Sequence, residues 1–489
     1  MDTERIRKKL AKYSILLEAL KVLVDDDYIQ AVQNRPIPPG LLRSPRPTPN
    51  RRNGVPETYK EFLNALAEVC SFRIGSDMVT AIIVEEKPSA EFVFHVTRNS
   101  LAPGGRGEED RDGLLGFLKQ ILDQIRDIQE KDERVFLQSE AYKQLFCTVI
   151  GDNIEKINYY RKHLGKAVKE FMGKSKQFIM DKDLNETLEN VLLDIEASKT
   201  KSGTDRREYR DLILNCGVLI GHEQTLLKCL RAASVEIPDC WGHVVHYAER
   251  LQSYRTCVRA FFQARTEYDE LFVNPVVNFV PPKTARKVPV DWTLQDLTNY
   301  FNRSKYRKGL WSAEHIKKVH AEIQRLSSES REGDDVGFHR IVHAEVALTH
   351  WFYSERPRSV IFSENSDTGK LFGDYRYVAT SKPCCLMCKE FCDLYIASIA
   401  CRPFHTRIYA RWTLPEFEDC CTQEAREQLM AMYGSMAHKF KEQCSLILAK
   451  WKPEFLLTSF DEEEHFDYDD FRKRKSLEDA SRELVKASF

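Results

Sequence analysis

Two short clusters of ligand-type side chains constrain this chain's fold more than any other feature: His343-Ala344-Glu345 and, about forty residues on, Cys384-Cys385-Leu386-Met387-Cys388. Cysteines three apart at a helix start lie on one face, so the thiols of Cys385 and Cys388 can reach one ion. The helix N-terminus also favours the thiolate, through its unpaired amides and dipole. His343 can add a third ligand from a second helix. Glu345 lies about 200° around a regular helix from His343, so the pair diverges mid-helix and converges only where a helix begins. Each cluster alone is weak, because HxE arises by chance and CxxC also serves redox and structural zinc sites.

The surrounding residues predict the elements that would bring the clusters together. IVHAEVALTHWFYSE has helical periodicity, RSVIFSE reads as a short buried strand and YRYVATSK as a second strand. CCLMCKEFCDLYIASIA is a further helix, FHTRIYARWTL a strand, and TQEAREQLMAMYGSMAHKFKEQCSLILAKW a long final helix. These elements define a core over residues 331–457. Residues 458–489 form a charged C-terminal tail, acidic at FDEEEHFDYDDF and basic at RKRK.

Upstream, residues 1–34 read as an N-terminal amphipathic helix, and residues 35–56, rich in proline and arginine, as a linker. Residues 57–110 hold a helix followed by a hairpin of MVTAIIVEE and EFVFHVTRNS. Over residues 111–330 most segments are helical, including LLGFLKQILDQIRDI and SAEHIKKVHAEIQRLSS with a cap at Ser312. VNPVVNFVPPKTARKVPVDW, with four prolines, is expected to be an irregular connector.

The length of 489 residues calls for two or three domains. The formal net charge of −1 gives no global attraction for nucleic acid, though it leaves room for a local basic groove. No run of eighteen apolar residues occurs, so no membrane span is expected. Fourteen cysteines in a chain without a secretory signal fit a reducing compartment, and the default location is cytoplasmic or nuclear. The oligomeric state is not legible.

HAEVALTHW followed by TSKPCCLMC resembles the cytidine-deaminase-like superfamily. More narrowly, it is similar to deaminase domains of fungal proteins and bacterial toxins, whose second motif often reads SK, two variable positions, then CxxC. The resemblance covers about residues 336–415. It implies an α/β fold with an α-β-α layered core, joined here to a large, mainly helical region. It also implies one catalytic zinc ion per chain and hydrolytic removal of an exocyclic amine from a base in a nucleoside, nucleotide or single-stranded nucleic acid. Position by position, His343, Cys385 and Cys388 match the metal ligands and Glu345 the proton shuttle.

The chain departs from that pattern in two places. Pro383 precedes Cys384 rather than Cys385, which leaves ligation by Cys384 with Cys388 as an alternative to the preferred Cys385 with Cys388. The helix and hairpin that the superfamily places just before the histidine are missing there. Residues 57–98 supply the distant candidate, either as the first part of a split core interrupted by the helical region or as a separate α+β domain.

Ser381 and Trp351 are candidate substrate contacts, with core packing the ordinary role for the aromatic run Trp351-Phe352-Tyr353. His350 is expected to be a hydrogen-bonded core histidine and Cys392 a packed thiol. Two other functions compete with the enzyme. One is an interaction protein whose structural zinc is closed by a fourth ligand, His350 or Cys384. The other is a redox dithiol, which leaves HAE unexplained.

Overall fold

The computed structural model describes residues 15–23, 54–75, 78–89, 91–99, 111–175, 182–198, 207–222, 239–283, 286–288, 293–302, 311–328, 338–354, 370–394, 399–405, 408–409, 412–415 and 423–451. The strand expected at RSVIFSE, the linker over residues 35–53, Cys420, Cys421 and the charged tail lie outside them.

The centre of the fold is a mixed sheet ordered β3-β2-β1-β7-β9, with β6 also paired to β1. Its strands are β1 (Thr80–Glu86), β2 (Phe92–Arg98), β3 (Pro275–Phe279), β6 (Lys370–Leu371), β7 (Tyr377–Thr380) and β9 (Ala400–Cys401). β1 and β2 form the antiparallel hairpin expected at MVTAIIVEE and EFVFHVTRNS. β1 also pairs antiparallel with β7, setting Ala81 opposite Thr380 and Ile82 opposite Ala379. Residues 80–98 and 377–380, some three hundred positions apart in sequence, therefore share one sheet.

Both faces of this sheet are buried, and the two-residue period of the strands divides their side chains between two cores. Ile82, Val84, Phe94, Val96, Tyr377 and Ala379 join one cluster. Ala81, Ile83 and Val378 join the other. On the first face lies α2 (Glu57–Val69), burying Tyr59, Phe62, Leu63 and Leu66 at the three-and-four spacing of an amphipathic helix.

Behind α2 stand α3 (Arg111–Arg126), α4 (Glu140–Asp152), α5 (Ile154–Ser175), α6 (Lys182–Ala197), α7 (Arg207–Gly221) and α8 (Asp239–Glu267). α8 packs on α2, α4, α5 and α7, so the helical region is continuous with the sheet's first core.

The second face carries the first cluster of ligand-type residues. β4 (Arg286–Val288), α9 (Leu294–Asn302) and α10 (Ala313–Ser328) lead to β5 (Phe338–Val342) and α11 (Ala344–Ser354), which packs on β1, β2 and β7. Ser312 Oγ accepts from His315 N–H at 3.1 Å, the cap expected at α10. Next come β8 (Cys384–Cys385), α12 (Leu386–Leu394), β10 (Phe404–His405), β11 (Trp412–Thr413) and the long α13 (Gln423–Trp451). The helix over residues 15–23, α1, is buried in this second core through Leu16, Leu17, Leu20 and Leu23. Among the described residues no helix is long and apolar enough to cross a membrane.

Three local expectations are corrected. CCLMCKEFCDLYIASIA, read as one helix, opens with β8, is helical over Leu386–Leu394 and reaches β9 at Ala400. The proline-rich stretch after α8 contains β3, parallel to β2 at the sheet edge, and β4, antiparallel to β5. Pro275 opens β3, the strand position where a missing N–H is tolerated, and Val276, Val277 and Phe279 carry the strand. Ile341 and Val342, read as the start of a helix, instead end β5. Helix begins only at Ala344.

A buried ion pair ties α1 to β5. Arg340 Nη2 lies 2.7 Å from Glu18 Oε1, and both side chains are 1% exposed. Burial pushes the Glu18 carboxyl up from 4.5 to about 7, with Arg340 pulling the other way. At pH 8, Glu18→Leu and Arg340→Met should each lower stability by roughly 3–5 kcal/mol, because each strands a buried charge. The double variant should recover most of that loss in urea unfolding. The raised folded pKa means Glu18 adds stability below about pH 4.5 that is lost as pH climbs through about 7. Glu18→Gln should remove that decline, a slope of up to about 1.4 kcal/mol per pH unit.

Candidate metal centre

His343 occupies the junction between β5 and α11. Its carbonyl accepts from Ala347 N–H at 2.9 Å, so it caps the helix rather than lying inside it. That placement frees the His343 and Glu345 side chains from the divergence a regular helix would impose. Asn99, directly after β2, secures the junction: its Oδ1 accepts from Ala344 N–H at 2.8 Å. Cys385 ends β8, and Cys388 sits in the first turn of α12.

The three donor atoms converge. His343 Nδ1 lies 3.7 Å from Cys385 Sγ and 3.3 Å from Cys388 Sγ, and the two sulfurs are 3.4 Å apart. Around an ion with bonds near 2.3 Å to sulfur and 2.0–2.1 Å to nitrogen, tetrahedral neighbours stand roughly 3.5–3.8 Å apart. The observed edges of 3.3, 3.4 and 3.7 Å lie close to those between three vertices of such a tetrahedron, two of them slightly short. His343, Cys385 and Cys388 form a group that could hold a metal ion, and no other such group occurs among the described residues.

The three groups shift one another's titration. Burial alone would raise Cys385, but a hydrogen bond with Cys388 and the adjacent His343 bring it down to about 6. Cys388, buried beside that thiolate, is pushed well up. Burial lowers His343, but Cys385 and Glu345 outweigh it and hold the imidazole above its ordinary value. Glu345 is 3% exposed, and its Oε2 has no hydrogen-bond partner among the described residues. A buried carboxylate oxygen without a donor is costly, and here it stands beside a metal-binding triangle.

The remaining sequence candidates fall elsewhere. Cys384 is buried and lies 3.6 Å from Thr380 Oγ1, outside the triangle, and Cys401 and burial push its thiol well up. His350 is buried, and burial and Lys283 lower it to about 3. Cys392 is buried and hydrogen-bonded to Cys401. Ser381 Oγ accepts from Thr80 N–H at 3.0 Å, extending the pairing of β1 with β7. Trp351 packs against His95 of β2, with ring centroids 4.8 Å apart and the planes tilted by 55°.

Three residues not singled out from the sequence stand at the centre: Asn99, Tyr409 and Trp412. The Tyr409 ring lies 5.7 Å from the His343 ring and is 44% exposed. Trp412 Nε1 donates to Cys388 Sγ at 3.1 Å. Only Asn99 had a readable signal, a cap-type residue closing a buried strand.

Comparison with known proteins agrees with this geometry. The model of a family described as OTT_1508-like deaminase matches residues 342–416, a segment that spans the triangle, Glu345 and Trp412. No curated protein and no solved structure matches the chain. The match supports a deaminase family for this segment, and with it a hydrolytic deaminase.

Cobalt(II) added to the purified chain should bind and give a thiolate charge-transfer band. The band should survive in Cys384→Ala and disappear in Cys385→Ala and Cys388→Ala.

Proposed function

We propose that the chain is a zinc-dependent hydrolytic deaminase acting on a nucleobase in a nucleoside, nucleotide or nucleic acid. The observation that carries this reading is the unpartnered Glu345 Oε2 beside the triangle of His343, Cys385 and Cys388. His343, Cys385 and Cys388 would hold one zinc ion and leave a fourth position open. Bound there, zinc supplies Lewis-acid activation of a water molecule.

The protein's own groups do the rest. Glu345 takes one proton of the attacking water at Oε2 and gives it to the ring nitrogen, then carries the second, from the new hydroxyl, to the departing amine. The sum is a base bearing an amine plus water, giving a base bearing a carbonyl plus ammonia. Burial of the triangle keeps bulk water away, which strengthens each of these interactions. The half-exposed Tyr409 ring beside His343 offers a flat face on which a base can stack.

A purely structural metal would require a fourth protein donor, and neither His350 nor Cys384 joins the group. It would also give Glu345 no role. We further read residues 57–110 and 331–457 as one core of the cytidine-deaminase-like type, with residues 111–330 inserted. The pairing of β1 with β7, and helices on both faces of the sheet, support that reading.

Glu345→Ala should retain one zinc per chain while ammonia release falls by about 10²–10⁴-fold. Elemental analysis and an ammonia assay on pooled nucleosides, nucleotides and single-stranded oligonucleotides test this. X-ray absorption showing four protein donors on the metal, with no ammonia from any pool, would overturn the enzyme.

A further inference from the structure

The geometry points to Trp412 as a positioning residue of the metal centre, whose indole N–H fixes the direction of the Cys388 sulfur. This rests on the metal reading above and goes beyond it, since Trp412 acts through Cys388 and not on a substrate.

An indole N–H can only donate. Trp412 Nε1 is 3.1 Å from Cys388 Sγ, and both residues are fully buried at 0% exposure. The sulfur must therefore accept, which a thiolate does better than a thiol. Losing that acceptor would leave the indole N–H unsatisfied in the interior.

The ring is held from its own backbone. β11 runs parallel to β5, with Trp412 paired to Ile341 and Thr413 to Val342. The Arg340 Nη1 guanidinium hydrogen donates to the Trp412 carbonyl at 3.3 Å. Tyr433 of α13 donates to the Leu414 and Pro415 carbonyls, each at 3.3 Å, and fixes the chain just beyond. His343 directly follows β5. One strand pair thus positions both His343 and the donor to Cys388.

An N–H donated to a thiolate draws charge from sulfur, so less reaches the metal and more energy is needed to move an electron from sulfur to it. Outer partners of this kind typically change metal affinity by about 10–100-fold.

The test uses the full chain loaded with cobalt(II). Trp412→Phe, which keeps most of the ring volume and removes the N–H, should shift the thiolate-to-cobalt band to longer wavelength. It should also weaken cobalt binding by about 10–100-fold. Tyr433→Phe, which loosens the same segment without touching Cys388, should do neither. An unchanged band and affinity in Trp412→Phe would make Trp412 a packing residue and end the inference. Failure of wild type to take up cobalt would instead overturn the metal reading beneath it.

Should Trp412→Phe not fold, wild type loaded with ¹¹³Cd decides. One of the six indole N–H signals should show coupling to cadmium, and none doing so would overturn the inference.

Discussion

The side chains of His343, Cys385 and Cys388 hold three polar atoms within 3.3–3.7 Å of one another in a largely buried site. Two thiols and an imidazole offer few protons to share, and burial opposes the charged form of each. Such a cluster persists only if the scaffold enforces it and something completes it. The enforcement is visible. β5 delivers His343, β8 delivers Cys385, and α12 turns Cys388 back toward both. Each short strand is clamped by a parallel neighbour, β11 on β5 and β10 on β8. The Glu18–Arg340 pair, itself a buried charge, then links α1, β5 and the Trp412 carbonyl. Buried ion pairs contribute little net stability but fix geometry. Here the geometry they fix is that of the ligands.

The sheet explains why a site built from residues 343–412 depends on residues three hundred positions earlier. β1 lies between β2 and β7, and its alternate side chains enter two different cores. Ala81 and Ile83 pack with the metal-site residues, while Ile82 and Val84 pack with α2 and the helical region. A disturbance in the helices would reach β1 from one face and α11 from the other. Asn99 makes the coupling direct, because the residue that ends β2 holds the first amide of the helix bearing Glu345. The helical region therefore braces the site, whatever else it recognises.

The grouping of His343, Cys385 and Cys388 was readable because metal chemistry restricts residue type and spacing together. The hairpin of β1 and β2, the long helices and the Ser312 cap were readable because period, length and cap residues agreed. β3 was hidden because four prolines in one stretch mask a strand that needs only five residues and an edge position. Ile341 and Val342 were hidden because two apolar residues before a helix fit its period as well as a strand's end. The roles of Trp412 and Tyr409 were never in the local sequence. Their contacts with Cys388 and His343 exist only once β11 lies beside β5, and no spacing rule spans that fold-back. Ser381 shows the converse: adjacent in sequence to the cysteines, it is occupied by the amide of Thr80.

The choice between Cys384 and Cys385 illustrates how one residue of register decides chemistry. Helical spacing alone admits either cysteine with Cys388, at i+4 or i+3, and Pro383 stands one place earlier than the usual motif would have it. But both cysteines lie in β8, where neighbouring side chains point to opposite faces. The parallel pairing of Cys384 with Phe404 and Cys385 with His405 fixes which is which. Cys385 faces His343 and Cys388, while Cys384 turns to Thr380 and Cys401. Shifting β8 by one residue would exchange them, putting Cys385 among buried neutral thiols. The i, i+3 pair is thus selected by strand parity before the helix begins, a constraint that sequence spacing by itself does not contain.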